Sequence, residues 1–320
     1  MTAQRMPIGV AGLGLMGSSI ATCLLMAGHA VTGLVQRIDE GAAARRRISD
    51  FLGQVKKGTS FGEDAGSAME RLIITNDISM LGKHHLIIES ISESAAKKAE
   101  LFRQLEGAIP NTAIIGTNTS AIPISLLQEG MRNPERLLGI HWGEPAHIGR
   151  FMEIICGNKT APHHAERMMV LAESWGKEPS LVKKDIRGFI SNRLMYALMR
   201  ESFYLVENGY ATYEDIDRAC RNDLGSWITF AGPFRYMDLT GIPAYLSVME
   251  ELFPELNNAV DAPAFIKELV SSGAKGVSNA SGFYPYTQRS AKQWEELFVR
   301  FSSEIRQLSE KYPQHAGDEV

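Results

Sequence analysis

Up to Asp185 the chain alternates short apolar, β-branched runs with longer stretches of helical character. The runs at residues 8–10, 30–35, 72–75, 86–90, 113–116, 137–142, 151–156 and 180–183 are bounded by Gly, Pro and polar clusters, as strands are. Helical periodicity follows the first run and returns over 92–105 and near 162–175, while 40–71 is polar and helical in tendency. That alternation predicts a doubly wound α/β layer with a mostly parallel sheet. Past Gly188 the strand pattern stops. Residues 189–206, 213–222, 242–252, 263–271 and 291–311 all read as helices. The expected organisation is an α/β domain over residues 1–185 and an all-α domain over 186–320. The first of these later helices is apolar nearly all round, which predicts burial on every side, in a core that also meets a second copy of the chain.

The start of the chain carries a sharper signal. Ile8 and Val10 lead into Gly12, Gly14 and Gly17; an Ala- and Leu-rich helix opens at once, Gly28 can end it, and a second strand follows. G-x-G-x-x-G in that strand–turn–helix setting predicts a Rossmann-like dinucleotide site. Its glycines allow a tight turn and let backbone N–H groups approach a pyrophosphate at the helix N-terminus. The second strand, however, ends Leu34, Val35, Gln36, Arg37, without the acid that normally holds the adenine ribose; the first acid is Asp39. Arg37, helped by one of Arg45, Arg46 or Arg47, could meet a 2′-phosphate, although consecutive arginines on a helix more often face solvent. NAD and NADP both stay open, with Arg37 tilting the reading toward NADP.

Bulk composition narrows the remaining classes. At 320 residues, 44% hydrophobic and 22% charged, the chain has the make-up of a soluble two-domain protein. A net charge of −4 gives no reason to expect nucleic acid or an anionic membrane as partner. No apolar run approaches bilayer length, and the N-terminus runs directly into a strand without room for a signal peptide. Cys23, Cys156 and Cys220 are odd in number and far apart, as reduced thiols of a cytoplasmic protein are. His84 and His85 are adjacent but have no carboxylate or cysteine at ligand spacing, so no metal site is expected.

The chemistry is expected in the stretch GIHWGEPAHIGRFMEII, residues 139–155. Glu153 stands among Phe151, Met152, Ile154 and Ile155, where a carboxylate is costly unless paired. If the two flanking strands lie close, its partner is His141, which gives a base and the group that orients it. The alternative is a glutamate on a solvent face and a histidine in a loop. Thr117, Asn118, Thr119 and Ser120 follow a strand at the end where a parallel sheet forms its ligand crevice, though a capped turn before Pro123 would read the same. Lys56 and Lys57 sit in a glycine-bearing excursion that reads as a flap or as plain surface.

Six segments in order resemble the 3-hydroxyacyl-CoA dehydrogenase superfamily: GLGLMGSSIA, IESISESAAKKAELF, GTNTSAIPI, GIHWGEPAHIGRFMEII, KKDIRGFISNRL and AGPFRYMDLTG. The resemblance covers almost the whole chain. It implies a nucleotide-binding N-terminal domain, a helical C-terminal domain that forms a homodimer, and NAD(P)-dependent oxidation of a secondary alcohol in a hydroxyacyl-CoA or small hydroxy acid. It makes His141 the catalytic acid/base and Glu153 its orienting carboxylate. Ser120 would bond the substrate oxygen, Asn192 would help place the substrate, and Glu93 and Lys98 would contact the ribose and nicotinamide end of the cofactor. Gly12, Gly14 and Gly17 match the pyrophosphate loop.

Three positions depart from that pattern. The family's HFFNP is His141, Trp142, Gly143, Glu144, Pro145 here, so an acid replaces an amide; the ribose-binding acid is absent; and Arg187 replaces the proline before GF. Glu144 is therefore a candidate for binding a cationic or hydroxyl-rich group of an unusual substrate. The HW…P.HI…EII pattern, KTAP and ISNRLMYALMRE also resemble a branch in vitamin B6 breakdown that oxidises a pyridine aldehyde-acid. A non-enzymatic role, as in a lens crystallin of this fold, or that of a nucleotide sensor with a degenerate site, is the alternative of another class.

Overall fold

The computed structural model describes residues 5–55 and 65–312. Lys56 and Lys57 lie outside the described residues. The chain divides into two compact units, Met1–Asn192 and Arg193–Val320. The division falls inside a helix and later than Asp185, because the turn and first residues of that helix are bound to the sheet.

The first unit holds β1 (Ile8–Ala11), β2 (Val31–Leu34), β3 (Leu72–Thr75), β4 (Leu86–Glu89), β5 (Ile114–Thr117), β6 (Leu137–Trp142), β7 (Phe151–Cys156) and β8 (Glu178–Val182). They form one sheet in the order β3-β2-β1-β4-β5-β6-β7-β8. All pairs are parallel except β6 with β7, which is antiparallel. Most strands are apolar throughout because both faces are covered, as in doubly wound folds. One layer packs around Ile8, Val10, Ile88, Ile114 and Ile140 under α1 (Leu15–Met26), α2 (Glu40–Val55), α3 (Ala65–Glu70) and α6 (Pro162–Ser174). The other gathers Ala11, Ile87, Ile115 and Leu137 under α4 (Ala95–Ala108) and α5 (Ile124–Leu127).

Local chemistry sets the boundaries. Gly28, at φ 89°, ends α1 as expected. α4 starts later than residue 92 because Ser94 caps it, accepting the Lys97 N–H. The order reverses between β1 and β4, so the C-terminal ends of β1, β4, β5 and β6 open onto one crevice.

The second unit carries most of α7 (Ser191–Glu207), then α8 (Tyr213–Ala219), α9 (Gly225–Phe230), α10 (Gly232–Thr240), α11 (Ile242–Leu252), α12 (Ala264–Ser271) and α13 (Gln288–Glu310). Phe203, Tyr213, Phe265 and Phe283 form an aromatic cluster in it, with Phe203 and Phe265 edge to face at 5.6 Å. A π-helical stretch, Cys220–Leu224, continues α8 into α9. The expected burial of α7 on every side is corrected: none of its residues is buried in the single chain, and Leu194 is 61% exposed.

Candidate active site

The glycine loop is built so that each glycine has a different job. Gly12 takes φ 95°, and a Cβ there would lie 2.5 Å from the Ser90 carbonyl oxygen. A Cβ at Gly17 would lie 1.8 Å from the Gly12 carbonyl oxygen, so only glycine lets α1 close onto the loop. At Gly14 a Cβ would meet nothing within 4 Å. The chain is open there, and the N-terminus of α1 has no side-chain cap. Uncapped N–H groups beside open space fit a bound pyrophosphate. Ser18 Oγ donates to the Leu13 carbonyl at 3.0 Å, and Arg47 Nη2 donates to the same oxygen at 2.6 Å, which steadies the loop from behind.

Arg37 is paired with two acids at the surface. Its Nε lies 3.1 Å from Asp39 Oδ1 and its Nη2 3.6 Å from Glu40 Oε1, all at the surface. Its proposed helpers are also engaged in part: Arg45 donates to the Leu72 carbonyl, and Arg47 to the loop.

At the ends of β4 and β5 lies a charged cluster. Glu89 is fully buried and accepts Lys98 Nζ on both oxygens, at 2.7 and 2.9 Å, together with Thr117 Oγ1 and the Ile91 N–H. Desolvation pushes its carboxyl upward, against the pull of Lys98 and Thr117. Lys98 is itself completely enclosed and stands 3.5 Å from Glu93. Burial also pushes the Glu93 carboxyl up, but bonds from Thr119 and the Ser120 and Ala121 N–H groups, with the Lys98 charge, bring it below its ordinary value. Glu93 thus holds the NTS turn, and Lys98 reaches it from inside the protein.

Ser120 is clamped through its backbone. Its N–H goes to Glu93 at 3.1 Å and its carbonyl accepts Asn192 Nδ2 at 2.9 Å, while its hydroxyl bonds no described residue. The Asn192 amide is therefore engaged in holding Ser120. Asn118 ties the same turn to the next strand, its Oδ1 accepting the Trp142 N–H at 3.2 Å.

The dyad forms directly across the antiparallel pair, where His141 and Glu153 are register partners. His141 Nδ1 lies 2.8 Å from Glu153 Oε2, and both residues are buried. Glu153 Oε1 accepts the N–H groups of Ile190 at 3.0 Å and Ser191 at 2.9 Å, at the start of α7. Burial raises the Glu153 carboxyl, but the His141 bond and these N–H groups outweigh it and hold it below its ordinary value. An acceptor-only carboxylate fixes the imidazole with its proton on Nδ1. In the neutral ring Nε2 then keeps a lone pair, and it bonds no described residue. The chain reaches this arrangement through Gly188 at φ 81° and Phe189 at φ 51°, the latter a left-handed, 1% exposed residue whose ring lies 5.7 Å from the imidazole. Phe151 meets the same ring edge-on at 5.5 Å.

Two buried residues at the site, Glu89 and His147, have no role assigned from sequence. Glu89 carries a signal related to that of Glu153, an acid that ends an apolar run where Glu153 stands inside one. His147 has no such signal; it is a loop histidine until the fold places it. Glu144 lies exposed on the β6–β7 loop and bonds no described residue through its side chain.

Comparison with known proteins gives these features a family. Residues 7–186 match the 3-hydroxyacyl-CoA dehydrogenase, NAD binding domain, and residues 188–286 match the 3-hydroxyacyl-CoA dehydrogenase, C-terminal domain. The chain belongs to the 3-hydroxyacyl-CoA dehydrogenase family. It is an NAD-dependent oxidoreductase. A 5-formyl-3-hydroxy-2-methylpyridine 4-carboxylate 5-dehydrogenase of Mesorhizobium japonicum is 32% identical over 310 residues, 95% of this chain and 98% of that one. A probable 3-hydroxybutyryl-CoA dehydrogenase of Bacillus subtilis is 30% identical over 286 residues, 89% of this chain and 98% of the relative. The crystal structure of a 5-formyl-3-hydroxy-2-methylpyridine 4-carboxylic acid 5-dehydrogenase, an NAD+-dependent dismutase, aligns with TM-score 0.88 and 31% identity over 97% of this chain and 100% of that one.

Two outcomes follow from the geometry. Gly17→Ala forces the Gly12 carbonyl aside and is expected to weaken NADH binding by about tenfold or more, roughly 1.4 kcal/mol, in a fluorescence titration; unchanged affinity would mean the loop does not hold the cofactor. Burial, with the Lys177 charge second, lowers the His147 pKa from 6.5 to about 4. Between those values the unfolded chain binds a proton that the folded chain refuses. Stability is then full above about pH 6.5 and falls by up to about 3 kcal/mol as pH drops toward 4. The loss of Tm between about pH 7 and pH 5 should be smaller in His147→Asn than in the parent.

Proposed function

We propose that His141 is the acid/base of this dehydrogenase and that Glu153 orients it, with a small carboxylate-bearing hydroxy or oxo compound as substrate. The observation that carries the catalytic part is the single bond from Nδ1 to Glu153, which leaves Nε2 as the free base. In oxidation, Nε2 takes the proton of a substrate hydroxyl, and Glu153 stabilises the imidazolium that forms. The Ser120 hydroxyl bonds the same substrate oxygen, its position held by Glu93 and Asn192 through the backbone. NAD bound at the glycine loop supplies the hydride acceptor. An aldehyde substrate fits the same groups, because its hydrate presents a hydroxyl and a hydrogen on one carbon.

The substrate class is supported by the pyridine relative, 32% identical over 95% of the chain, and by the solved pyridine dehydrogenase, which aligns with TM-score 0.88 over 97% of it. A hydroxyacyl-CoA substrate is the second reading, favoured by the family match itself. Retention of His141, Glu153, Ser120 and Asn192 together favours an active enzyme over a crystallin-like role, since packing alone needs none of them. The exposed apolar face of α7 supports a homodimer through the C-terminal helices, and the unpaired cysteines and absence of any bilayer-length helix among the described residues support a cytoplasmic enzyme.

The test is absorbance at the nicotinamide band, pairing NAD and NADP with pyridine aldehyde-acids, short hydroxy acids and hydroxyacyl-CoAs. Turnover of a free acid with NAD is the expected result, and turnover of CoA thioesters alone would overturn the substrate reading. His141→Ala should lower turnover by about 10²–10⁴-fold. Turnover at the parent rate would remove His141 from the role of base.

A further inference from the structure

The loop between the dyad strands is held to the cofactor helix by one buried imidazole. His147 Nδ1 lies 2.7 Å from Ser19 Oγ of α1, and the His147 backbone N–H donates to that oxygen at 3.1 Å. Gln54 Oε1 of α2, 3.1 Å from Nε2, can only accept, so Nε2 carries the ring proton and Nδ1 accepts the Ser19 hydroxyl. Every polar atom of the ring is used, in a single tautomer. The ring also stacks on Phe51 of α2 at 4.4 Å and 21°. Buried Lys177 donates to the carbonyls on either side of this point, Ala146 and Gly149. The loop cannot shift without breaking several of these bonds.

Ser18 and Ser19 are neighbours that reach opposite parts of the site. Ser18 Oγ holds the Leu13 carbonyl of the glycine loop, and Ser19 Oγ holds His147. We propose that His147, through Ser19, is a positioning residue that fixes the strand end carrying His141 against the helix that binds the cofactor. This rests on the reading of His141 as the base, because the distance it sets matters only if that imidazole meets substrate beside the nicotinamide. His147 does not touch the reacting atoms. It acts on alignment, to which turnover is sensitive: a misplacement of about 1 Å can cost about 10²-fold.

The experiment compares the parent with Ser19→Ala, His147→Ala, the double variant and His147→Asn, measuring kcat under saturation, NADH affinity by fluorescence, and Tm. Asn can accept the Ser19 hydroxyl as Nδ1 does, so it tests rescue. The expected result is a fall in kcat of about tenfold to a hundredfold in each alanine variant, with NADH affinity within about twofold of the parent. The double variant should be no slower than His147→Ala, and His147→Asn should recover much of the rate. Ser19→Ala, a small change inside a helix, keeps the test valid if His147→Ala fails to fold. A drop in Tm with kcat unchanged in the folded variants would overturn the proposal, as would additive losses. His147 variants that lose rate while His141→Ala does not would sink the reading of the base and leave the coupling through Ser19 in place.

Discussion

The buried carboxylate of Glu153 is the constraint on which the site depends. An ionised group in an apolar strand is costly unless every lone pair is met. Here the partners come from two directions, the imidazole of His141 across the strand pair and the first N–H groups of α7. The same contacts that make the buried charge tolerable therefore fix the imidazole's tautomer and anchor the start of the helix. Phe189 accepts a left-handed backbone, a conformation costing about 1–3 kcal/mol, so that those N–H groups can face the carboxylate.

Around that bond the sheet gathers the other parts by register. Parallel strands bring the glycine loop, Glu89, the NTS turn and His141 to the same edge. The antiparallel return of β7 sets Glu153 opposite His141. Adjacent residues then bridge the two halves of the site. Ser191 binds Glu153 and Asn192 binds the Ser120 carbonyl, so the partner of the His141 imidazole and the residue that carries the Ser120 hydroxyl are tied through one peptide unit. Glu89 and Lys98 form a second buried pair that acts on Ser120 from the other side, through Glu93.

Much of this was legible from residue order. Period-two and continuous apolar runs located the strands, because burial on both faces leaves little room for polar residues. The glycine spacing identified the cofactor loop, because the close approach of Gly17 to the Gly12 carbonyl admits no side chain. What stayed hidden depends on distant contacts. The bond from the Asn192 amide to the Ser120 carbonyl joins residues 72 apart, and residue order does not show it. α9, α10 and the π-helical stretch before them went unread because a glycine- and proline-bearing segment has weak periodicity. His147 could not be placed without the fold, since Ser19 and Gln54 are remote in sequence.

The most direct test of the Glu153–His141 bond is Glu153→Gln, which keeps shape and removes charge. Oε1 receives two backbone N–H groups, so the new amide must turn its NH2 toward His141. That amide requires an acceptor at Nδ1, which moves the ring proton to Nε2 and removes the base. The measurement is kcat alongside NADH affinity in the folded variant. A fall in kcat of about 10²–10⁴-fold with NADH affinity unchanged is the expected result. Turnover near the parent rate would contradict the assignment of His141 and Glu153 as a working pair.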